Sequence, residues 1–189
     1  PRLALEQPPK GRPYHLIFLL TLVVLRVMAA ASLTAFLPTI QRLRGFSLIA
    51  AGSSFTVFMA CGALGGLTGG ILSDRLGRKP VILASFFLII PAFLAFLLFR
   101  GPLSFLILAI LGFLFFLSEP ACIVLALEMA PQKARTVSGL VMGMAWGMAG
   151  LGVLGTGALA DFVGIEKALS YLLLLPIGGL ALSFFLPRK

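Results

Sequence analysis

Six long apolar stretches constrain this chain more than any other feature. A helix needs about 20 apolar residues to cross a hydrocarbon core of about 30 Å, and each stretch is close to that length. Membrane-spanning strands would alternate apolar and polar residues over about ten positions, and these stretches do not. We therefore predict an all-α membrane protein built as a six-transmembrane-helix bundle. The predicted spans are 14–37, 48–72, 80–99, 103–127, 137–160 and 168–186.

The composition and the placement of charge narrow the range of partners. Hydrophobic residues make up 60% of the chain and charged residues 11%, against about 25% charged residues in soluble proteins. The net charge of +9 comes from cations in short segments at the predicted membrane edges, where anionic lipid attracts them. Nucleic-acid binding would need a continuous basic face. We therefore expect the lipid bilayer, and no nucleic acid, as a partner.

Lysine and arginine fall unevenly on the two sides of the predicted spans. Cytoplasmic loops carry the excess of these residues, and ten on one side against four on the other place both termini in the cytoplasm. Residues 1–13 are then a cytoplasmic linker, 14–187 the transmembrane domain and 188–189 a cytoplasmic tail. The ten are Arg2, Lys10, Arg12, Arg75, Arg78, Lys79, Lys133, Arg135, Arg188 and Lys189, and the four are Arg42, Arg44, Arg100 and Lys167.

A short charged turn joins the second and third predicted spans. Its glycines let the chain turn tightly, and its carboxylate, Asp74, is expected to cap the N-terminus of the next helix. The three cations that follow mark the cytoplasmic side of the membrane. The residues of this turn are Gly70, Asp74, Arg75, Gly77, Arg78 and Lys79.

The pattern of this turn recurs 87 residues later. Both segments read Gly-x-Leu-small-Asp-x-apolar-Gly, and the second contains Gly157, Asp161 and Gly164. A displacement of three spans puts the second copy on the opposite face of the membrane, which predicts a 3+3 inverted repeat of the kind found in transporters. The alternative is a chance likeness between two glycine-rich helices.

The turn from Gly70 to Lys79 resembles the loop signature of the major facilitator superfamily, which lies between the second and third helices of each six-helix half. The resemblance implies the C-terminal half of a secondary transporter, an N-terminal six-helix half as its partner, and a gating role for the turn. Phrases such as Phe36-Leu37-Pro38 are similar to bacterial drug-efflux members of the fosmidomycin-resistance type. That likeness implies the bacterial cytoplasmic (inner) membrane.

Two charged residues, Arg26 and Glu119, lie well inside predicted spans, where an unpaired charge costs at least about 2.5–3.5 kcal/mol. At about 1.5 Å per residue, their depths differ by about 6 Å, which their side chains can bridge. The resemblance implies that the first and fourth spans line the central cavity. Arg26 is then predicted to hold an anionic or zwitterionic substrate and Glu119 to carry a coupling proton, with Phe36 and Phe115 on an apolar wall. The alternative is an ion pair that binds nothing.

Glycines recur at intervals of four in the second and fifth spans. This spacing places small residues on one helix face and lets a neighbouring helix approach closely. The resemblance implies that the neighbour is the other half of the transporter, or a second copy in a homodimer, and the alternative is packing within the six helices. The glycines are Gly62, Gly66 and Gly70 in the second span and Gly139, Gly143 and Gly147 in the fifth.

Together these features predict transmembrane transport of a small molecule by alternating access, in the form of proton-coupled efflux. The alternative is a non-transporting six-helix scaffold, sensor or assembly partner. The sequence has no nucleophile motif, cofactor motif or metal-ligand spacing. We therefore expect neither an enzyme, nor a cofactor, nor a metal site.

Overall fold

The computed structural model describes residues 13–186, which form helices and short connections without a strand among them. The predicted linker up to residue 12 and the predicted tail at 188–189 lie outside the described residues. A 3₁₀ turn at Pro131–Lys133 precedes α6, and a π-helical turn at Leu140–Met144 joins α6 to α7. The α-helices are α1 (Pro13–Leu43), α2 (Leu48–Leu76), α3 (Arg78–Leu98), α4 (Leu103–Leu117), α5 (Glu119–Met129), α6 (Ala134–Gly139), α7 (Ala145–Val163), α8 (Ile165–Tyr171) and α9 (Leu174–Phe184).

These helices make six segments that are long and apolar enough to cross a membrane, which confirms the predicted all-α, six-helix class. The first segment runs through Pro38, where the prediction ended it, and continues to Leu43. Proline removes one backbone hydrogen bond, but Leu37 and Ile40 are fully buried against neighbouring helices, so packing holds the helix together across it. The six segments are Tyr14–Leu43, Leu48–Leu76, Arg78–Leu98, Leu103–Met129, Pro131–Val163 and Ile165–Phe184.

Successive segments run in opposite directions, so their connections collect at two ends of the bundle. We name these the Gly77 end and the Gly45 end, after a glycine in one connection at each. At the Gly77 end, Lys79 donates to the carbonyl of Leu186. At the Gly45 end, Arg44 donates to the carbonyl of Phe96 at 3.0 Å, and Arg100 pairs with Glu166 at 3.0 Å.

Glycines let α2 and α4 come into backbone contact. A Cβ added at Gly65 would overlap the carbonyl of Phe113, and one added at Gly69 would overlap the carbonyl of Leu117. On α4, Gly112 meets the carbonyl of Phe58 in the same way. The two helices are therefore in close backbone contact along the second half of α4, up to its last residue.

Gly77 and Gly164, the last glycines of the two similar turns, adopt nearly the same conformation. Their φ and ψ are 91° and 163° for Gly77, and 85° and 152° for Gly164, a region open in practice to glycine alone. Each ends one helix and begins the next, Gly77 between α2 and α3 and Gly164 between α7 and α8. The two turns share a local structure at opposite ends of the bundle, and the 3+3 repeat stays a prediction.

The predicted capping role of Asp74 is wrong. Asp74 lies in the last turn of α2, which continues to Leu76, and α3 begins only after Gly77 without a side-chain cap. The reason is that Gly77 turns the chain within a single residue. No polar residue is left between the two helices to act as a cap.

Candidate functional site

A cavity of about 380 Å³ lies in the middle of the bundle, on the side nearer the Gly45 end. Its walls come from α1, α2, α4, α5 and α7, and most of the lining side chains are apolar. Arg26 and Glu119 are the charged residues among those that line it. The lining residues are Arg26, Val27, Ala30, Ala31, Thr34, Ala35, Phe55, Met59, Phe116, Glu119 and Trp146.

The structure brings Arg26 and Glu119 together at this cavity. One nitrogen of the guanidinium, Nη2, lies 3.8 Å from the carboxylate Oε1 of Glu119. The other terminal nitrogen, Nη1, donates a hydrogen bond of 2.7 Å to the carbonyl of Phe115. The Arg26 side chain is 4% exposed and that of Glu119 is 29% exposed. The carboxylate is therefore the more accessible charge of the pair.

The guanidinium of Arg26 retains unused hydrogen-bonding capacity. Its Nε is fully buried and has no hydrogen-bond partner among the described residues. An arginine can donate five hydrogen bonds in a fixed planar arrangement, and a buried donor without an acceptor costs about 1–3 kcal/mol. The guanidinium therefore makes fewer hydrogen bonds than it can.

An interruption in the fourth membrane segment, Leu103–Met129, places Glu119 beside the cavity. Helix α4 ends at Leu117, and α5 begins at Glu119 with Pro120 in its first turn. Pro120 has no N–H to give to the carbonyl four residues earlier, and it disfavours helical geometry in the residue before it. The interruption is a single residue, Ser118, whose φ of −85° and ψ of −8° stay in the right-handed helical region.

Aromatic side chains form part of the apolar wall, but neither of the two predicted there, Phe36 and Phe115, is among the lining residues. Phe116 and Phe55 line the cavity. Phe115 points into the core instead, where it is fully buried against Phe58, and the cavity-lining residues do not include Phe36, which lies next to Gly157. Neighbouring residues on a helix point about 100° apart, so the sequence could not assign which phenylalanine faces the cavity.

Trp146 lines the cavity and was missed by the sequence analysis. It follows the π-helical turn Leu140–Met144 and is 56% exposed. It also borders a small chamber of about 10 Å³ on the other side of the Arg26–Glu119 pair. As the single tryptophan of the chain, it was a visible candidate, but its orientation depends on the extra residue that the π-turn inserts.

A second group of charges lies at the Gly77 end. Arg78 donates to the carboxylate of Asp74 at 2.9 Å and to the carbonyl of Ser73 at 2.7 Å, and it pairs with Glu128 at 3.4 Å. Glu128 lies outside the predicted turn residues, and its pairing with Arg78 was not predicted. Arg75 is exposed. The turn thus joins the end of α2 to the end of α5.

The two sets of evenly spaced glycines have different surroundings. Gly62 packs against the ring of Phe116 within the bundle, and a Cβ on Gly70 would lie 3.9 Å from Pro120. By contrast, a Cβ on Gly66 would meet no atom within 4 Å, and the same holds for the three evenly spaced glycines of the fifth membrane segment. Those three, Gly139, Gly143 and Gly147, lie on an exposed face.

The residues that the structure describes contain no cluster of three or more histidine, cysteine, aspartate or glutamate side chains that could hold a metal ion. Cys61 and Cys122 are both free thiols. Cys122 is buried in α5 and borders the small chamber.

Six membrane-length helices around a cavity with a buried ion pair define a polytopic integral membrane protein. The sequence model of the Major Facilitator Superfamily matches residues 4–153, and the chain belongs to that family of membrane transporters. This confirms the family predicted from the turn between the second and third spans.

Similar proteins agree with this assignment. The chain is 40% identical over 143 residues to an "Uncharacterized MFS-type transporter YfnC" of Bacillus subtilis, and 36% identical over 149 residues to the "Fosmidomycin resistance protein" of Escherichia coli. The matches cover 75% and 76% of this chain but only 34% and 35% of those proteins. The chain thus matches about a third of the length of these relatives.

A solved structure shares the fold. The major facilitator superfamily transporter FucP, in its outward conformation, superposes with a TM-score of 0.82 at 18% identity, over 95% of this chain and 44% of that one. At this level of identity the match concerns the fold alone.

Proposed function

We propose that this chain is the C-terminal half of a secondary transporter that moves a small molecule across the membrane by alternating access. The observation that carries the proposal is the Arg26–Glu119 pair on the wall of the central cavity. Charges at this depth are costly and in transporters mark substrate and ion pathways. Membership of a transporter family supports the same role.

Arg26 is proposed to bind the substrate and Glu119 to exchange the coupling proton. The position of the Arg26 cation on the cavity wall favours a substrate with an anionic or zwitterionic group. The rings of Phe55, Phe116 and Trp146 would pack against its apolar part. Loss of the charge on Glu119 would release the guanidinium from its carboxylate, so proton and substrate would act on the same arginine.

We propose export as the direction of transport, since one relative is named for fosmidomycin resistance. Both named relatives are bacterial proteins, which supports a bacterial membrane as the setting. Arginine and lysine are more numerous at the Gly77 end, where both termini are expected to lie, than at the Gly45 end. This excess favours the Gly77 end as the side that faces the cytoplasm across a bacterial inner membrane. The exposed glycines of the fifth crossing would pack against an N-terminal six-helix half.

Transport by a Glu119→Gln variant of the full-length protein tests the proposal. Reconstituted into vesicles with an imposed proton gradient, this variant should insert normally but lose gradient-driven transport of a drug to which the wild-type protein confers resistance. Glu166→Gln is the matched control, because Glu166 pairs with Arg100 at the exposed Gly45 end and should transport normally. Wild-type, gradient-dependent transport by Glu119→Gln would refute the coupling role.

A non-transporting scaffold predicts a different outcome. In that case neither variant would change any flux, because the wild-type protein would show none above empty vesicles. Binding without flux would leave Arg26 as a ligand site but remove the transport proposal.

A further inference from the structure

Helices α3, α8 and α9 form an outer layer of the bundle. The described residues that line the cavity and the small chamber belong to the other crossings and not to these three helices. Helix α3 packs against α4 and α9, and α9 packs against α1. The large apolar side chains that this layer leaves exposed, among them Leu94, Leu98 and Leu174, lie away from the cavity. In a membrane protein such a surface faces the acyl chains of lipid.

Two exposed stripes of this layer carry a cation at the Gly45 end. On α3, Leu94 and Leu98 are four residues apart and therefore share a helix face, and Arg100 follows shortly after that helix ends. On α8, Lys167 and Tyr171 have the same spacing, and both are exposed. Tyrosine is enriched where a membrane meets water. Each stripe thus offers a surface for an acyl chain and a positive charge for a headgroup.

Arg44 brings a third cation to the same place. Its Nη2 donates to the carbonyl of Phe96 at 3.0 Å, and its Nη1 makes a longer contact of 3.5 Å to the carbonyl of Phe99. The guanidinium carbon lies 4.6 Å from the centre of the Phe96 ring. Because Phe99 directly precedes Arg100, Arg44 caps the end of α3 beside a second guanidinium.

The carboxylate in this cluster does not neutralise its cations. Glu166 pairs with Arg100 at 3.0 Å, whereas no ion pair within 4 Å among residues 13–186 involves Arg44. Burial lowers the pKa of Arg44, Glu166 partly offsets this effect, and Arg100 adds to it. The excess of positive charge holds for all connections at this end, where the cations are Arg42, Arg44, Arg100 and Lys167 and the anions are Asp161 and Glu166.

The guanidinium of Arg44 can still bind an anion. Each terminal nitrogen carries two hydrogens, and the contacts to Phe96 and Phe99 use one on each. The side chain is half-buried and already fixed by these contacts, which reduces the entropic cost of binding a ligand. Phosphate oxygens are strong acceptors for arginine. The cluster therefore suits a phosphate group next to an apolar surface.

We propose that Arg44, Arg100 and Lys167 bind the headgroup of one anionic phospholipid, of the phosphatidylglycerol type, at the Gly45 end. Its phosphodiester contacts the guanidinium groups of Arg44 and Arg100, and the ammonium group of Lys167 adds charge attraction. Its acyl chains lie along the exposed apolar stripes of α3 and α8. The bound lipid links the end of α1 to the ends of α3 and α8, on the side of the bundle away from the cavity.

Lipid binding to the full-length protein, measured by native mass spectrometry, tests this site. The delipidated protein is titrated with phosphatidylglycerol and with phosphatidylcholine of the same chain length. The wild-type protein should bind one phosphatidylglycerol, which carries a net negative charge, more tightly than the zwitterionic phosphatidylcholine. Arg44→Gln should weaken the binding of this lipid about fivefold, since one basic residue near an anionic headgroup contributes about that factor.

Two further variants and a soluble competitor make the result specific. Arg42→Gln is the matched control, because Arg42 carries the same charge at the same end but donates to the carbonyl of Phe46 in the α1–α2 connection, so lipid binding should be unchanged. Arg100→Gln alters an exposed side chain, should weaken binding by a similar factor, and serves if Arg44→Gln does not fold. Glycerol phosphate at the lipid's concentration should not displace the lipid, because it cannot use the apolar stripes.

Undiminished binding in both Arg44→Gln and Arg100→Gln would overturn the proposal, and so would an equal loss in Arg42→Gln, which indicates a general attraction between charges. Equal affinity for phosphatidylcholine would contradict the anionic headgroup. Displacement by glycerol phosphate would indicate a site for a free anion instead of a lipid. The measurement needs neither a transport substrate nor a gradient, so it can succeed while the transport test fails.

Discussion

Gly69→Ala and Gly66→Ala form a matched pair of substitutions that tests the contact between α2 and α4. Both replace an interior helical glycine, so both gain about 1 kcal/mol of helix propensity. At Gly66 the new methyl group meets no atom within 4 Å. At Gly69 it meets the backbone carbonyl of Leu117, and a carbonyl in a helix cannot rotate away as a side chain can.

The cost at Gly69 follows from this geometry. The two helices must separate locally, which loosens the neighbouring contacts of Gly65 and Gly112. Overpacking of a well-packed interior costs about 1–3 kcal/mol, and the propensity gain is common to both variants. Gly69→Ala should therefore be about 1–3 kcal/mol less stable than Gly66→Ala.

Unfolding of the full-length protein in mixed micelles, titrated with dodecyl sulfate and followed by circular dichroism, measures this difference. Wild-type protein is the reference, and Gly66→Ala should match it or exceed it by up to about 1 kcal/mol. Equal stability of the two variants would refute the close approach of α2 and α4.

Three other outcomes follow from the structure. Replacing Gly77 or Gly164 by alanine should lower the free energy of unfolding by about 1–3 kcal/mol in the same assay, because φ near +90° strains any residue with a Cβ. Stabilities equal to that of the wild type would contradict the shared turn conformation. Gly143→Leu should weaken association of the separately expressed half with an N-terminal half in a co-purification assay, whereas full recovery would remove this face as the contact. A double-mutant cycle on Arg100 and Glu166 should give a coupling of at most about 1 kcal/mol, since the pair is exposed, and a larger value would contradict that exposure.

Much of the architecture was predictable because membrane crossing imposes simple demands on a sequence. Length and apolarity identify a crossing helix without knowledge of its neighbours, and the cost of a buried charge singled out Arg26 and Glu119. Their depths along two separate helices agreed well enough to anticipate contact. Each of these inferences depends on position along one helix.

The predictions that failed concern the direction in which a side chain points around its helix, or the way the backbone turns at a single residue. Phe115 and Phe116 are adjacent, and only the structure shows that the second faces the cavity. Asp74 was expected to begin a helix because the sequence does not reveal that Gly77 alone makes the turn. Trp146 was missed since a π-turn changes the face on which every later residue lies.

The glycines of α2 show how one spacing can serve two contacts. Gly62 packs against Phe116, which lines the cavity, while Gly65 and Gly69 lie against the backbone of α4. Of the α2 glycines that sequence spacing assigned to a contact with another half, Gly62 packs instead within the bundle, against the wall of the cavity. On the fifth crossing, Gly152 meets Met28 of α1, while Gly139, Gly143 and Gly147 remain exposed. The link between the helices that carry the two charges is made by Arg26 itself, which donates from α1 to the carbonyl of Phe115 in α4, two residues before the end of the helix that precedes Glu119. A substitution that widened the contact of α2 with α4 would therefore be expected to shift α4 and its bond to Arg26 without touching either charge.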